Sequence, residues 1–367
     1  MKQENINVYL SKQIITYLGN KRKLLPYIEK EINQIKKQLK KDKVTSVDLF
    51  SGTGIVARML KKHSSKVIVN DLEAYSKVTN QCYLSNASDF NEAIFNRYQM
   101  MIKDKLNHHL IEGIISKHYA PKDDQDIQKG ERVFYTKKNA QIIDTIRTAI
   151  DEVPKKYQPY FLGPLLYQAS VHNNTGGVFK GFYKDSHTGV GKFGGNGEHA
   201  LKRIKGDIKC LKPIISPFEA DVEIHQLDAN LLVKHLNFVD VIYIDPPYNQ
   251  HPYGSNYFML NVIVDNKIDT KISPISGIPQ DWNRSNYNKK QKALAAFEQL
   301  IEDAKATYIM ISYNSEGFIT YDEIKNLLMN YGHLKIKKVK YNTYRASRNL
   351  KNRSKYVDEY IFILRKK

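Results

Sequence analysis

The tetrapeptide Asp245-Pro246-Pro247-Tyr248 is the part of this sequence whose residue types imply chemistry most directly. It follows an apolar run, Val239 to Ile244, that reads as a buried strand. Two successive prolines fix the backbone, withdraw two N–H donors and stop the strand, so such a strand end presents acceptors. An adenine amino group offers two N–H donors. The Asp245 carboxylate and the Pro246 carbonyl could each accept one while Tyr248 stacks on the ring. Two acceptors that favour a tetrahedral nitrogen would free a lone pair otherwise delocalised into the ring, ready for in-line attack on a sulfonium methyl. No metal is needed, and Asp245 need not be a full general base, because the nitrogen can lose its proton after attack. The plain alternative is a proline turn closing a strand, with Tyr248 in the core.

A second constellation lies upstream, in Asp48-Leu49-Phe50-Ser51-Gly52-Thr53-Gly54-Ile55-Val56-Ala57. Two glycines stand where the apolar run Val44 to Phe50 turns into a helix over Gly54 to Lys62, and their missing side chains let a ligand approach the backbone. Gly52, Gly54 and Ala57 satisfy G-x-G-x-x-G/A, and Asp71 stands 19 residues beyond Gly52, where a carboxylate would hold ribose hydroxyls. Adenosyl cofactors and dinucleotides both suit this turn, and the motif alone does not choose between them. Asp71 has a second reading, as a carboxylate favoured by a helix N-terminus.

Around these motifs the chain alternates strand and helix, breaks off, and resumes. Lys66 to Asn70 is a strand followed by a helical pattern through about residue 86. From 88 to 216 the pattern is mostly helical, with a glycine-rich stretch from Asn173 to Gly206 that also carries lysine, histidine and aromatics. Strands return at Asp221 to His225, Val239 to Ile244, Ala306 to Ser312, Leu334 to Tyr341 and Tyr356 to Leu364; helices are expected from Asn230, over Lys289 to Ala304 and over Tyr321 to Tyr331. The last two strands, adjacent in sequence, should pair antiparallel. The fold class is therefore α/β, a seven-stranded sheet with an inserted, mainly helical domain. Residues 1–87 and 217–367 form the sheet domain and 88–216 the insertion.

Composition narrows the partner. The 57 Lys and Arg against 38 Asp and Glu leave a formal net charge of +19 over 367 residues, which points to a polyanion, nucleic acid first. Cys82 and Cys210 form neither a disulfide framework nor a zinc site. No window approaches the 18 or so apolar residues of a membrane span, so a soluble protein of a reducing cytoplasm is expected.

In the order of its motifs the sequence resembles the adenine-N6 DNA methyltransferases of the Dam-like, alpha-ordered group, particularly the restriction-modification members. Tyr17-Leu18-Gly19-Asn20-Lys21 matches their N-terminal Gly/Lys motif, Phe50 to Gly54 their F-x-G-x-G turn, 88–216 their recognition insertion, and Asp245 to Tyr248 their D-P-P-Y. The resemblance covers nearly the whole chain. It implies the Rossmann-like fold of S-adenosylmethionine-dependent methyltransferases, S-adenosylmethionine as cofactor, and double-stranded DNA as substrate. A prokaryotic, cytoplasmic monomer paired with a restriction endonuclease is likewise implied. Asp245, Pro246, Pro247 and Tyr248 would be catalytic. Tyr17, Gly19 and Lys21 would border the methionine end of the cofactor, with Phe50, Gly52 and Gly54 beneath it, Asp48 in the same group and Asp71 on the ribose. Asp228, 17 residues before Asp245, has the spacing of an Asp-Phe pair that contacts the cofactor adenine, but Ala229 replaces the aromatic; a helix-capping aspartate is the alternative.

A duplex hides the adenine amino group, so the base must be flipped out, with Tyr248 as a wall of its pocket. Phosphate contacts must offset that cost. Asn173, Lys180 and Lys184 in the glycine-rich stretch, Arg203 on a helix, Tyr257 in the loop after the tetrapeptide, and Arg284 in the polar segment Trp282 to Lys290 are the candidate DNA contacts. Solvated loops and helix faces are the alternative for each. Rival functions are an adenine methyltransferase of structured RNA, whose relatives usually carry Asn at the position of Asp245, a cytosine-N4 enzyme, which would carry Ser there, and a non-catalytic DNA-binding protein of the same fold. A nicotinamide dehydrogenase would leave the tetrapeptide and the charge unexplained.

Overall fold

The computed structural model describes residues 3–342 and 356–367. Seven strands, β1 (Val44–Asp48), β2 (Ser64–Asn70), β3 (Asp221–His225), β4 (Val239–Ile244), β5 (Ala306–Asn314), β6 (Gly332–Asn342) and β7 (Tyr356–Lys366), form one sheet. Its order is β3-β2-β1-β4-β5-β7-β6. The first five pair in parallel, and β7 lies antiparallel to both β5 and β6. This is the seven-stranded α/β sheet expected from the sequence, with the antiparallel pair at its end.

Helices α1 (Gln3–Ser11), α2 (Leu25–Leu39), α3 (Ile55–His63) and α4 (Ala74–Tyr83) accompany the first strands. Five more, α5 (Glu92–His108), α6 (Ile114–Tyr119), α7 (Lys137–Ile150), α8 (Pro159–Val171) and α9 (Leu201–Ile204), fill the segment before β3. The remainder are α10 (Ala229–His235), α11 (Tyr253–Asn256), α12 (Phe258–Asp265), α13 (Lys290–Asp303) and α14 (Tyr321–Tyr331).

All six residues of β4 are buried, as a central strand covered on both faces requires. Its side chains alternate between two cores. Ile242 and Ile244 join Leu232 of α10, Phe297 and Leu300 of α13 and Leu328 of α14 on one face. Val241 and Tyr243 join Ile28 and Ile32 of α2 and Val56 and Met59 of α3 on the other. Between residues 88 and 216 a small cluster of Val133, Phe193 and Ile204 is the segment's own, but most of its helices pack into a larger shared core. Phe95, Ile143 and Phe161 share one cluster with Tyr75 and Val78 of α4 and Met259 of α12, so this segment is anchored to the sheet domain by continuous packing. Among the described residues no helix is long and apolar enough to cross a membrane.

Candidate active site

The strand order reverses between β1 and β4, and in an open parallel sheet the crevice past the carboxyl ends of such strands is where ligands bind. In this register Asp48 stands opposite Tyr243, so the chain leaving β1 at the glycine turn and the chain leaving β4 at Asp245 face one crevice. An open cavity lies there. Its lining includes Tyr17, Gly19, Lys21, Asp48, Phe50, Gly52, Asp71, Asp228, Asp245 and Pro247, residues spread over the first two-thirds of the chain.

The turn after β1 depends on its glycines. Gly52 and Gly54 have φ of 51° and 72°, in the left-handed region that disfavours side chains. A Cβ on Gly54 would collide with Asn80 Oδ1, and one on Gly52 would lie 3.1 Å from the Tyr17 ring. Helix α4 fastens the turn from below: Asn80 Nδ2 donates to Ser51 Oγ (2.9 Å) and Ser76 Oγ to the Gly52 carbonyl (2.6 Å). At the side, Asp71 accepts from the Gly52 N–H (2.7 Å) and the Glu73 N–H (3.0 Å). Gly54 itself lies outside the cavity lining and acts as the N-cap of α3.

Aromatic rings cover the cavity on the N-terminal side. Tyr17 packs against Tyr253 (5.0 Å between centroids) and Tyr257 (4.6 Å), which are 6.1 Å from each other, so the three rings form a cluster; the Tyr17 hydroxyl is 3.0 Å from that of Tyr75. Asp228 accepts from the N–H groups of Asn230 and Leu231, so it caps α10 while also lining the cavity. Pro246 is buried, neither it nor Tyr248 belongs to the cavity lining, and the Tyr248 ring meets Tyr313 edge-on at 6.3 Å.

Around Asp245 the site is strongly charged. Lys21 Nζ lies 3.1 Å from Asp245 Oδ1 and 2.6 Å from Glu359 Oε1. Glu359 Oε2 accepts from Asn314 Nδ2 at 3.1 Å. The side chains of Lys21, Asp245 and Glu359 are 7%, 18% and 3% exposed. Burial lifts the Asp245 carboxyl to about 6 against the pull of the Lys21 ammonium, and the Glu359 charge adds to the rise. Burial alone would lower the Lys21 pKa, but the carboxylates of Asp245 and Glu359 hold it well above its ordinary value. Asp48 is pushed well above the carboxylate range by burial, with the charges of Asp245 and Asp71 adding to the effect. Its oxygens face the backbone N–H groups of Phe50 and Ala57 without a hydrogen bond of normal geometry.

Two acids in this arrangement were not singled out from the sequence. Glu73, two residues past Asp71, is buried and accepts from Asn261 Nδ2 (2.6 Å) and Asn283 Nδ2 (3.1 Å); burial, then the Asp71 charge, raise its pKa to about 7. Its proximity to Asp71 was the available signal. Glu359 sits on the last strand, and no local pattern ties it to the motifs.

The candidate DNA contacts divide in two. Lys180, Lys184 and Arg284 are exposed, with Lys184 over the Phe182 ring and the Arg284 guanidinium 4.2 Å from the Trp282 ring centroid. Asn173, Arg203 and Tyr257 are turned inward. Asn173 is buried and donates to the Ser170 carbonyl (2.7 Å). Arg203 donates to the carbonyls of Val171, Asn173 (2.8 Å) and Thr175 (3.3 Å). Tyr257 is fully buried and accepts from the Leu18 N–H (2.7 Å). These three support loops from within, a role that loop composition does not reveal.

A model of the D12 class N6 adenine-specific DNA methyltransferases matches residues 17–275. The Type II methyltransferase M.NlaIII of Neisseria lactamica is 30% identical over 96% of this chain and 99% of its own length. The Type II methyltransferase M.CviAII of Paramecium bursaria Chlorella virus 1 is 28% identical over 95% of this chain and 98% of its own. With the Type II methyltransferase M.FokI of Planomicrobium okeanokoites the identity is also 28%, and this chain spans 52% of that protein.

The glycine turn can be tested directly. Gly54→Ala should cost at least about 1 kcal/mol of stability, from the left-handed backbone together with the Asn80 collision, and should weaken binding of a nucleotide-type ligand. Equilibrium unfolding and ligand titration measure the two effects, and an unchanged unfolding midpoint would contradict the account of the turn.

Proposed function

Because the chain belongs to the D12 class N6 adenine-specific DNA methyltransferases, we propose that its cleft takes S-adenosylmethionine beside a flipped adenine, with Asp245 as acceptor for the reacting amino group. The protein is an adenine-specific DNA methyltransferase, related throughout its length to type II restriction-modification methylases. One observation carries the reading of the site: the Asp245 carboxylate and the glycine turn line the same cavity.

That cavity suits an adenosyl cofactor. The bare backbone at Gly52 leaves room that a Cβ would narrow against Tyr17, and Asp71 stands beside it as a carboxylate for ribose hydroxyls. Tyr17, Gly19, Asp48, Phe50 and Asp228 complete this half, and Gly54 shapes the turn. S-Adenosylmethionine, when bound, supplies an electrophilic methyl group. The protein's part is to hold the adenine amino nitrogen in line and to accept its hydrogens. Asp245 Oδ1 faces Lys21, leaving Oδ2 for one N–H, and the Pro246 carbonyl takes the other. Both prolines keep competing N–H donors away. With a pKa of about 6, Asp245 is mostly ionised at neutral pH and acts as an acceptor rather than a donor. Tyr248 forms a wall for the base, and the buried site strengthens each polar contact.

For the duplex, we assign 88–216 to target recognition, with Lys180, Lys184 and Arg284 as exposed cations that engage phosphate. The surplus of positive charge makes binding steeply dependent on salt. A monomer in a prokaryotic cytoplasm, partnered by a restriction endonuclease of the same site specificity, fits this substrate and these relatives.

Incubation with S-adenosylmethionine and unmethylated duplex DNA, followed by digestion to nucleosides and mass spectrometry, should yield N6-methyldeoxyadenosine; methylation of RNA alone would refute the DNA assignment. Asp245→Ala should lower kcat by at least about 100-fold while cofactor binding is largely kept. In the wild type, kcat/KM should fall about tenfold per pH unit below about pH 6, as Asp245 of the free enzyme takes up a proton. A profile flat down to pH 5 or so would remove Asp245 from the acceptor role.

A further inference from the structure

Three ionisable side chains, Lys21 and Glu359 buried and Asp245 partly so, converge on the end of β4 from distant parts of the chain. Lys21 comes from a short 3-10 turn (Lys21–Lys23), Asp245 from the end of β4, and Glu359 from β7, where it pairs in register with Asn314 of β5. Burying charge is costly, and a packed apolar trio would hold these elements together at least as well. The cluster is also asymmetric. Lys21 is closer to Glu359 (2.6 Å) than to Asp245 (3.1 Å). Both Glu359 oxygens are engaged, Oε1 by Lys21 and Oε2 by Asn314 Nδ2, and Asn314 is itself held because its Oδ1 accepts from the Glu316 N–H (2.8 Å). The Glu359 carboxylate therefore has a fixed orientation.

We propose that Glu359 is a positioning residue for methyl transfer: it draws the Lys21 ammonium toward itself and holds it beside Asp245 Oδ1, so that Asp245 stays oriented without spending its acceptor strength on the lysine. This rests on the reading of Asp245 as the acceptor. With Glu359 absent, Lys21 would have Asp245 as its only close carboxylate among these contacts. It would pair more tightly with Asp245, and the amino group of the base would meet a weaker acceptor. The other titratable groups acting on Asp245 and Lys21 are Asp48 from β1, Tyr243 of β4, Tyr248 of the tetrapeptide and Tyr253 of α11; substitutions at Glu359 or Lys21 leave all four in place. Removing the Glu359 charge leaves Asp245 more acidic, and removing the Lys21 charge leaves it less acidic.

Glu359→Gln should lower kcat by about 10–100-fold, keep the S-adenosylmethionine dissociation constant within about threefold, and move the acid limb of the kcat/KM profile to lower pH. Lys21→Met should move the limb the other way. Glu359→Asp, which retains the charge, should recover most of the turnover and restore the limb. Should the glutamine variant fail to fold, Asn314→Ala, which frees the Glu359 carboxylate without deleting it, should still cost several-fold in kcat at unchanged cofactor affinity; normal turnover there overturns the proposal. Wild-type kcat and an unmoved limb in folded Glu359→Gln also overturn it, as does a variant that merely melts earlier with full turnover per folded molecule. Asp245→Ala, which removes the acceptor altogether, assayed alongside separates the two levels: if that variant is active, the reading of Asp245 fails, and if it is inactive while Glu359→Gln is normal, only the role of Glu359 fails.

Discussion

Parallel pairing of Ser46, Val47 and Asp48 with Val241, Ile242 and Tyr243 is the constraint on which the rest of the molecule depends. Residues nearly 200 positions apart become neighbours, and both strands end on the same edge of the sheet. Each strand then gives way to a departure from regular structure: a left-handed glycine turn after β1 and a pair of prolines after β4. Both departures release the backbone from sheet pairing at the edge of one cavity. Slipping this register would carry the turn away from Asp245 and send the alternating side chains of β4 into the wrong cores, so packing and chemistry are specified by the same contacts.

Electrostatically the protein is divided. The whole chain carries a net charge of +19, yet the walls of the cleft hold Asp48, Asp71, Glu73, Asp228 and Asp245. Such a concentration of acid is tolerable because backbone N–H groups, asparagine amides and one lysine partner much of it. Lys180, Lys184 and Arg284 are exposed and outside the cavity lining, Arg284 at its rim between the lining residues Asn283 and Ser285.

Much of this was readable in advance, for reasons that differ by residue. The strands at Asp221–His225 and Val239–Ile244 and the helix at Tyr321–Tyr331 occupy the bounds that the sequence pattern implied, since alternation, an apolar run and helical periodicity are local signals. Motif order placed the turn and the tetrapeptide in one crevice. Direction was not readable. Asn173, Arg203 and Tyr257 have the residue types of DNA contacts but spend their polar groups on neighbouring backbone, a choice made by tertiary packing. Glu359 was invisible for the same reason: an acidic residue within a β-rich C-terminal run acquires meaning only when β7 enters between β5 and β6. The helices of 88–216 looked separable by pattern, and their shared core with α4 and α12 emerges only in three dimensions.

The insertion of β7 also sets an order of events during synthesis. Lys21 and Glu359 are separated by 338 positions, so a chain growing on the ribosome displays Lys21 and Asp245 long before their third partner exists. The parallel half of the sheet can assemble early around β1 and β4, but its edge at β5 stays open until the C-terminal hairpin arrives. Sealing that edge and completing the charge cluster are one event. A nascent methylase would therefore hold an unfinished cleft, complete only once β7 had closed the sheet.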